Sequence, residues 1–304
     1  MSVPAVADPS ASGTERPLTS TAARGVRVVP RLPDIDFADT NVPRHWHSGS
    51  AGITAFYNMF TIAGPAIETF FLRDAKRLLP RVENPALRQE FAAFMQQEAF
   101  HSRVHQRTYR LYEHWGVPWA MVDAFVRRLL GWVERFSTTK LRSAIVVAGE
   151  HFLGEMGTRA LTDPTAFADA DPRMARLLLW HFYEECEHKA ICFDAFVDVY
   201  GDGVSTYLHR VTALAIALLV LGIMVPVLVF RLLRVEGAAF RWSEWRAIGH
   251  HAFGAEGIWR GRGSSILAFL KPGFHPWSYR EDSHYLQLRS DLVRPEWAEA
   301  AHRS

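Results

Sequence analysis

Apolar residues recur at three- and four-residue intervals in long runs, broken by short proline- and glycine-marked gaps, which is the rhythm of amphipathic α-helices. No stretch alternates apolar and polar positions between turn residues, so the pattern predicts an all-α protein and needs no strands. The segment PRHWHSGSAG reads as a loop before a first helix of about 53–79. Gly64-Pro65 is expected to kink or break that helix and Pro80 to end it. Asn84 caps a second helix whose first residue is Pro85, and apolar positions at Phe91, Phe94, Met95, Val104 and Tyr109 carry it to about Trp115. A shorter helix follows over about 118–136. A third long helix spans about 138–161 and stops at Asp163-Pro164. Asp171-Pro172 then opens a fourth that runs to Tyr200. A fifth, apolar all round, occupies about 207–233, and the aromatic, glycine-rich stretch beyond it adds further C-terminal helices.

Two of these helices carry the same short pattern, Glu98-Ala-Phe-His101 and Glu185-Cys-Glu-His188. A three-residue offset on an α-helix puts carboxylate and imidazole on one face, close enough to share a ligand. Each such helix follows one with a candidate inward carboxylate, Glu68 in the first case and Glu150 in the second. The order Glu, Glu-x-x-His, Glu, Glu-x-x-His is that of ferritin-like dimetal carboxylate bundles, with the 118–136 helix as the crossover between halves. The expected fold is therefore a ferritin-like four-helix bundle. The expected ligands are Glu68, Glu98, His101, Glu150, Glu185 and His188.

His181 lies four residues before Glu185 on the same stripe and is expected as a further imidazole ligand. His105 extends the stripe of Glu98 and His101, either as a ligand or as a partner that orients one. His151, about 100° around the helix from Glu150, is expected to support the site rather than bind in it. Glu184 and Glu187 diverge from the stripe and should be solvated or paired with arginine. Two further Glu-x-x-His runs, at Glu281 and Glu299, sit in a polar tail without helical periodicity and are assigned to chance. No glycine-rich phosphate loop, Gly-x-Ser-x-Gly elbow or His-Glu-x-x-His zinc motif is present.

Composition narrows the setting. The 304 residues are 49 % hydrophobic and 22 % charged, with a net charge of +2 and no basic block, which argues against a nucleic-acid partner. Residues 1–39, with an Ala-, Ser-, Thr- and Pro-rich start, read as a disordered tail, and 40–304 as one metal-binding domain. Cys186 and Cys192 stand about 9 Å apart along one helix, too far for a disulfide, so a cytoplasmic setting is expected. The stretch 211–230 holds no charge and is flanked by Arg210, Arg231 and Arg234. That is long enough to touch or span a membrane, and a helix buried all round would read the same way.

The stretches AIETFF, QQEAFHSRVH, GEHFLGEMG and WHFYEECEHKAICFDAF resemble those of a bacterial family known as predicted metal-dependent hydrolases, in the ferritin-like superfamily, over about residues 40–280. The stripe of His181, Glu185 and His188 is also similar to the fourth helix of di-iron N-oxygenases that oxidise arylamines, where an extra imidazole joins the ligands. Together these imply an enzyme with two metal ions, iron first, with manganese or zinc as alternatives. The reading favoured from the sequence is O2-dependent oxidation of a small apolar, acyl or lipid-like substrate, fed by an electron donor. Hydrolysis through a metal-bound water is the alternative, and a non-enzymatic metal-binding helical protein the third.

Overall fold

The computed structural model describes residues 19–163 and 165–278, and among them the protein is all-α. The helices are α1 (Ala51–Leu78), α2 (Pro85–Arg107), α3 (Tyr109–His114), α4 (Trp119–Phe136), α5 (Thr139–Thr162), α6 (Pro172–Tyr200), α7 (Val204–Val235), α8 (Trp242–Phe253) and α9 (Gly263–Ala268). Four of them, α1, α2, α5 and α6, form the bundle: α1 packs on α2, α5 on α6, and the two pairs meet through α2–α6 and α1–α5 contacts. The α3–α4 segment links the two pairs, and α4 covers the outside of α1. Beyond the bundle, α7 lies across α5 and α1, and α8 against α1.

The helix starts are where the capping side chains put them. Asn84 Oδ1 accepts the backbone N–H groups of Ala86 and Leu87, Thr138 accepts that of Leu141, and Asp171 those of Arg173 and Met174. Two expectations change. Pro65 does not interrupt α1, which runs unbroken past it. The second helix ends early, because the Thr108 hydroxyl and N–H both bond to the His105 carbonyl and tighten the last turn, after which α3 restarts.

The most enclosed element is α6, in which every residue from Trp180 to Phe193 is buried. Its close fit to α5 needs Gly157, where an added Cβ would lie 2.7 Å from the Phe182 carbonyl oxygen. The segment 19–39, grouped with the tail on composition, lies on the bundle. Val26, Ile35 and Phe37 are buried there, and Arg31 enters the interior. Residues 1–18 and both C-terminal Glu-x-x-His runs fall outside the described residues.

Candidate metal centre

Three turns into the bundle, α2 and α6 present their Glu-x-x-His pairs to one another. One ligand atom each from Glu98, His101, Glu185 and His188 lies within 4.8 Å of all the others, and all four side chains are buried. His101 Nδ1 stands 3.3 Å from Glu98 Oε1 and 3.5 Å from Glu185 Oε1. His188 Nδ1 stands 3.2 Å from Glu98 Oε1, 3.4 Å from Glu150 Oε2 and 3.6 Å from Glu185 Oε2. Thus α5 delivers Glu150 to the same point. Beside this group, Glu68 from α1 joins His105 and His181 in a second cluster. His105 Nε2 is 3.6 Å from Glu68 Oε1 and 3.1 Å from His181 Nδ1. His181 Nε2 lies 3.1 Å from Glu185 Oε1, so Glu185 stands between the two clusters.

The outer edges of the rings are anchored. His101 Nε2 lies 2.9 Å from Glu184 Oε2, and a carboxylate can only accept, so Nε2 carries the proton and Nδ1 offers its lone pair inward. For His188 the same result follows through Gln97. Its amide nitrogen donates to Glu187 and to the Val29 carbonyl, which leaves its Oε1 to accept from His188 Nε2 at 3.1 Å. Arg31 closes this layer: its guanidinium reaches Glu184 at 3.1 Å and Glu187 at 3.0 Å, and its N–H also donates to Glu184. Glu184 and Glu187 are therefore paired with arginine, in the interior rather than at the surface. Trp180 against His101 and Phe94 against His188, both edge-on, fix the ring planes.

The inward atoms form a donor set that a cation would fit. Glu98 Oε1, both oxygens of Glu150, Glu185 Oε2, His101 Nδ1 and His188 Nδ1 are buried and make no hydrogen bond. Groups in that state carry a large desolvation cost unless something positive lies between them. Burial, reinforced by neighbouring carboxylates, pushes Glu68 and Glu150 well above the usual carboxylate range. Burial opposes ionisation of Glu98 and Glu185 too, but the surrounding imidazoles hold both below their ordinary value. For His101 and His188 the carboxylates outweigh burial and raise the imidazole strongly, so without a cation each ring favours a second proton on Nδ1, the position a metal would take. Burial and the charge of His101 depress His105 to about 3 and His181 well below its ordinary value, so both rings stay neutral and free to donate to a metal.

Hence Glu68, Glu98, His101, Glu150, His181, Glu185, His188 and His105 lie together. His151 does not: its Nε2 meets the Ser265 carbonyl at 3.2 Å and its ring stacks on Phe269, on the far side of α5. Gly64 makes room at the second cluster, since a Cβ there would meet Glu68 Oε1 and His105 at 3.1 Å. Sequence spacing missed Arg31, Gln97, Glu184 and Glu187 as supports. The one signal for the last two was their place on the helix that carries the ligand stripe.

A cavity of about 40 Å³ opens beside the second cluster, lined by Glu68, Glu98, His105, His181 and Glu185 together with Phe60, Phe71 and Leu153. A family model described as "predicted metal-dependent hydrolase" matches residues 29–280. No curated protein and no solved structure matches the chain.

Proposed function

The chain belongs to the predicted metal-dependent hydrolase family, and from that premise we propose that it is a hydrolase working at a dinuclear metal centre. The observation that carries this reading is the convergence, from four helices, of buried carboxylate and imidazole atoms that lack hydrogen bonds, with the outer edges of His101 and His188 anchored. Glu98, His101, Glu150, Glu185 and His188 would hold one ion, and Glu68, His105 and His181, with Glu185 shared, a second. Four carboxylates offset two divalent charges, and the mixed oxygen and nitrogen donors suit iron, manganese or zinc. Ions held there would acidify a water and polarise a carbonyl.

The protein's own residues do the rest. Glu184 and Gln97 fix the ring orientations of His101 and His188. Glu68, Glu98 and Glu185 face the cavity, so a substrate there would lie against the carboxylates that would hold the ions. Phe60, Ile67, Phe71 and Leu153 keep bulk water from the reacting atoms.

A second reading, O2-dependent oxidation, draws support from the same apolar lining, which would shield a reactive oxidant. An anaerobic assay of metal-loaded protein on acyl esters separates the two. Hydrolysis is expected without O2 or reductant, and should disappear on chelation and in His188→Ala. Product formed only when O2 and electrons are supplied would overturn the hydrolase reading.

A further inference from the structure

The outward face of α7 carries no charge from Leu208 to Phe230, and Thr212 is the polar residue on its stripe. Its exposed or half-exposed positions Leu208, Ala215, Leu219, Ile223, Pro226 and Phe230 follow helical spacing and include no charge, where a helix on the surface of a water-facing protein carries polar residues. Leu219 is 63 % exposed. The stripe is about 33 Å long. At its C-terminal end stand the exposed arginines Arg231, Arg234 and Arg241, among the exposed rings of Phe240 and Trp242. An apolar face edged by arginine and tryptophan at one level is what the boundary of an anionic bilayer selects.

Behind this face lies a series of cavities. The outermost, about 370 Å³, opens between α7 and α8 at the exposed residues Leu218, Gly222, Pro226 and Phe253. That volume is in the range of small-molecule sites. The next, about 90 Å³ and lined wholly by apolar side chains and glycine, shares Phe60, Phe152 and Leu221 with it. The innermost is the cavity at the metal ligands, which shares Phe60, Ile67, Phe71 and Leu153 with the second. Phe60 lines all three.

We infer that the α7–α8 face seats on a bilayer with anionic headgroups, and that the substrate is an acyl ester of a membrane lipid whose chain enters between α7 and α8 and passes Phe60 to the metal centre. This rests on the hydrolase reading for its chemistry. The ester C–O bond breaks, the hydroxyl of water goes to the acyl carbon and its proton to the departing alcohol, with no oxidant or reductant.

Two measurements test it on the full-length protein without any activity readout. In flotation with phosphatidylcholine vesicles with and without phosphatidylglycerol, the protein should rise with the anionic vesicles. Leu219→Glu with Ile223→Glu should abolish this, and each of Arg231→Gln and Arg234→Gln should weaken it about fivefold. In titration with cis-parinaric acid, wild type should bind saturably. Phe60→Trp and, independently, Leu221→Trp should weaken binding at least tenfold with metal content unchanged, while the Leu219→Glu, Ile223→Glu protein still binds. Failure to float, or a dimer in wild type that the Glu pair dissociates, would overturn the membrane assignment. Chain binding insensitive to both tryptophan variants would overturn the route. Chain binding and flotation in a protein that takes up no metal would leave the membrane seat and the chain route standing and sink the hydrolase reading, with the ester chemistry, instead.

Discussion

Single side chains decide how well the centre is held. Glu184 neither faces the cluster nor reaches the cavity, yet it fixes the tautomer and plane of His101 through one 2.9 Å contact. Glu184→Gln keeps the shape but can present an N–H where an acceptor is needed. Metal affinity should fall about 10–100-fold, read by competition with a chromophoric chelator. Asp74 on α1 is a separate residue-level case. Burial raises its carboxyl to about 6 against an ordinary 3.8, although Ser143, Arg142 and Arg77 oppose this, and one of its oxygens has no hydrogen bond. A carboxyl raised on folding favours the native state below its unfolded value, and that contribution is lost as pH rises through the folded one. Asp74→Asn should therefore be neutral near pH 4 and stabilising above pH 6, by up to about 2–3 kcal/mol. Urea unfolding at both pH values checks the sign.

Helices were legible where their ends are chemical. Asn84-Pro85, Thr138 and Asp171-Pro172 state their own caps, and the Glu-x-x-His offsets on α2 and α6 show which faces turn inward. The break at Thr108 was not legible, because a threonine inside an apolar rhythm gives no notice that its hydroxyl will take the His105 carbonyl. The roles of Glu184 and Glu187 were hidden for a related reason. Stripe reasoning assumes a helix with a wet side, whereas α6 is surrounded along its middle turns. Arg31, which pairs with both, lies 153 residues before Glu184 in a segment whose composition reads as tail. Interhelical distance is the quantity most exposed to test at this level. Gly157→Val puts branched carbons where even a Cβ would be 2.7 Å from the Phe182 carbonyl, so α5 and α6 must separate. A loss of about 1–3 kcal/mol is expected, with weakened metal retention, because Glu150 and Glu185 ride on those two helices. Thermal unfolding paired with metal analysis reads both. Unchanged values would show that the α5–α6 spacing does not set the site.

At the scale of the molecule, the bundle resolves a conflict that its sequence sets up. It buries more carboxylate than its interior arginines can neutralise, and the imbalance is concentrated where four helices meet. The outer layer of Arg31, Glu184, Gln97 and Glu187 is closed by its own hydrogen bonds, so the unpaired valence is left at the centre. Around it, α4, α7 and α8 supply apolar walls rather than further polar groups, which separates the place of reaction from the surrounding medium. Expectation and structure agree on the all-α class. They part over the segment 19–39, which composition assigns to a tail and which instead carries the arginine that pairs with both carboxylates of the support layer.

The most direct test is metal content per chain, measured by inductively coupled plasma mass spectrometry on protein reconstituted with iron, manganese or zinc and freed of loosely bound ions. Wild type should retain two equivalents of at least one of these metals, Glu98→Ala with His188→Ala should retain fewer than one, and Asp74→Asn should match wild type. A folded wild-type protein that retains none of the three would contradict the account.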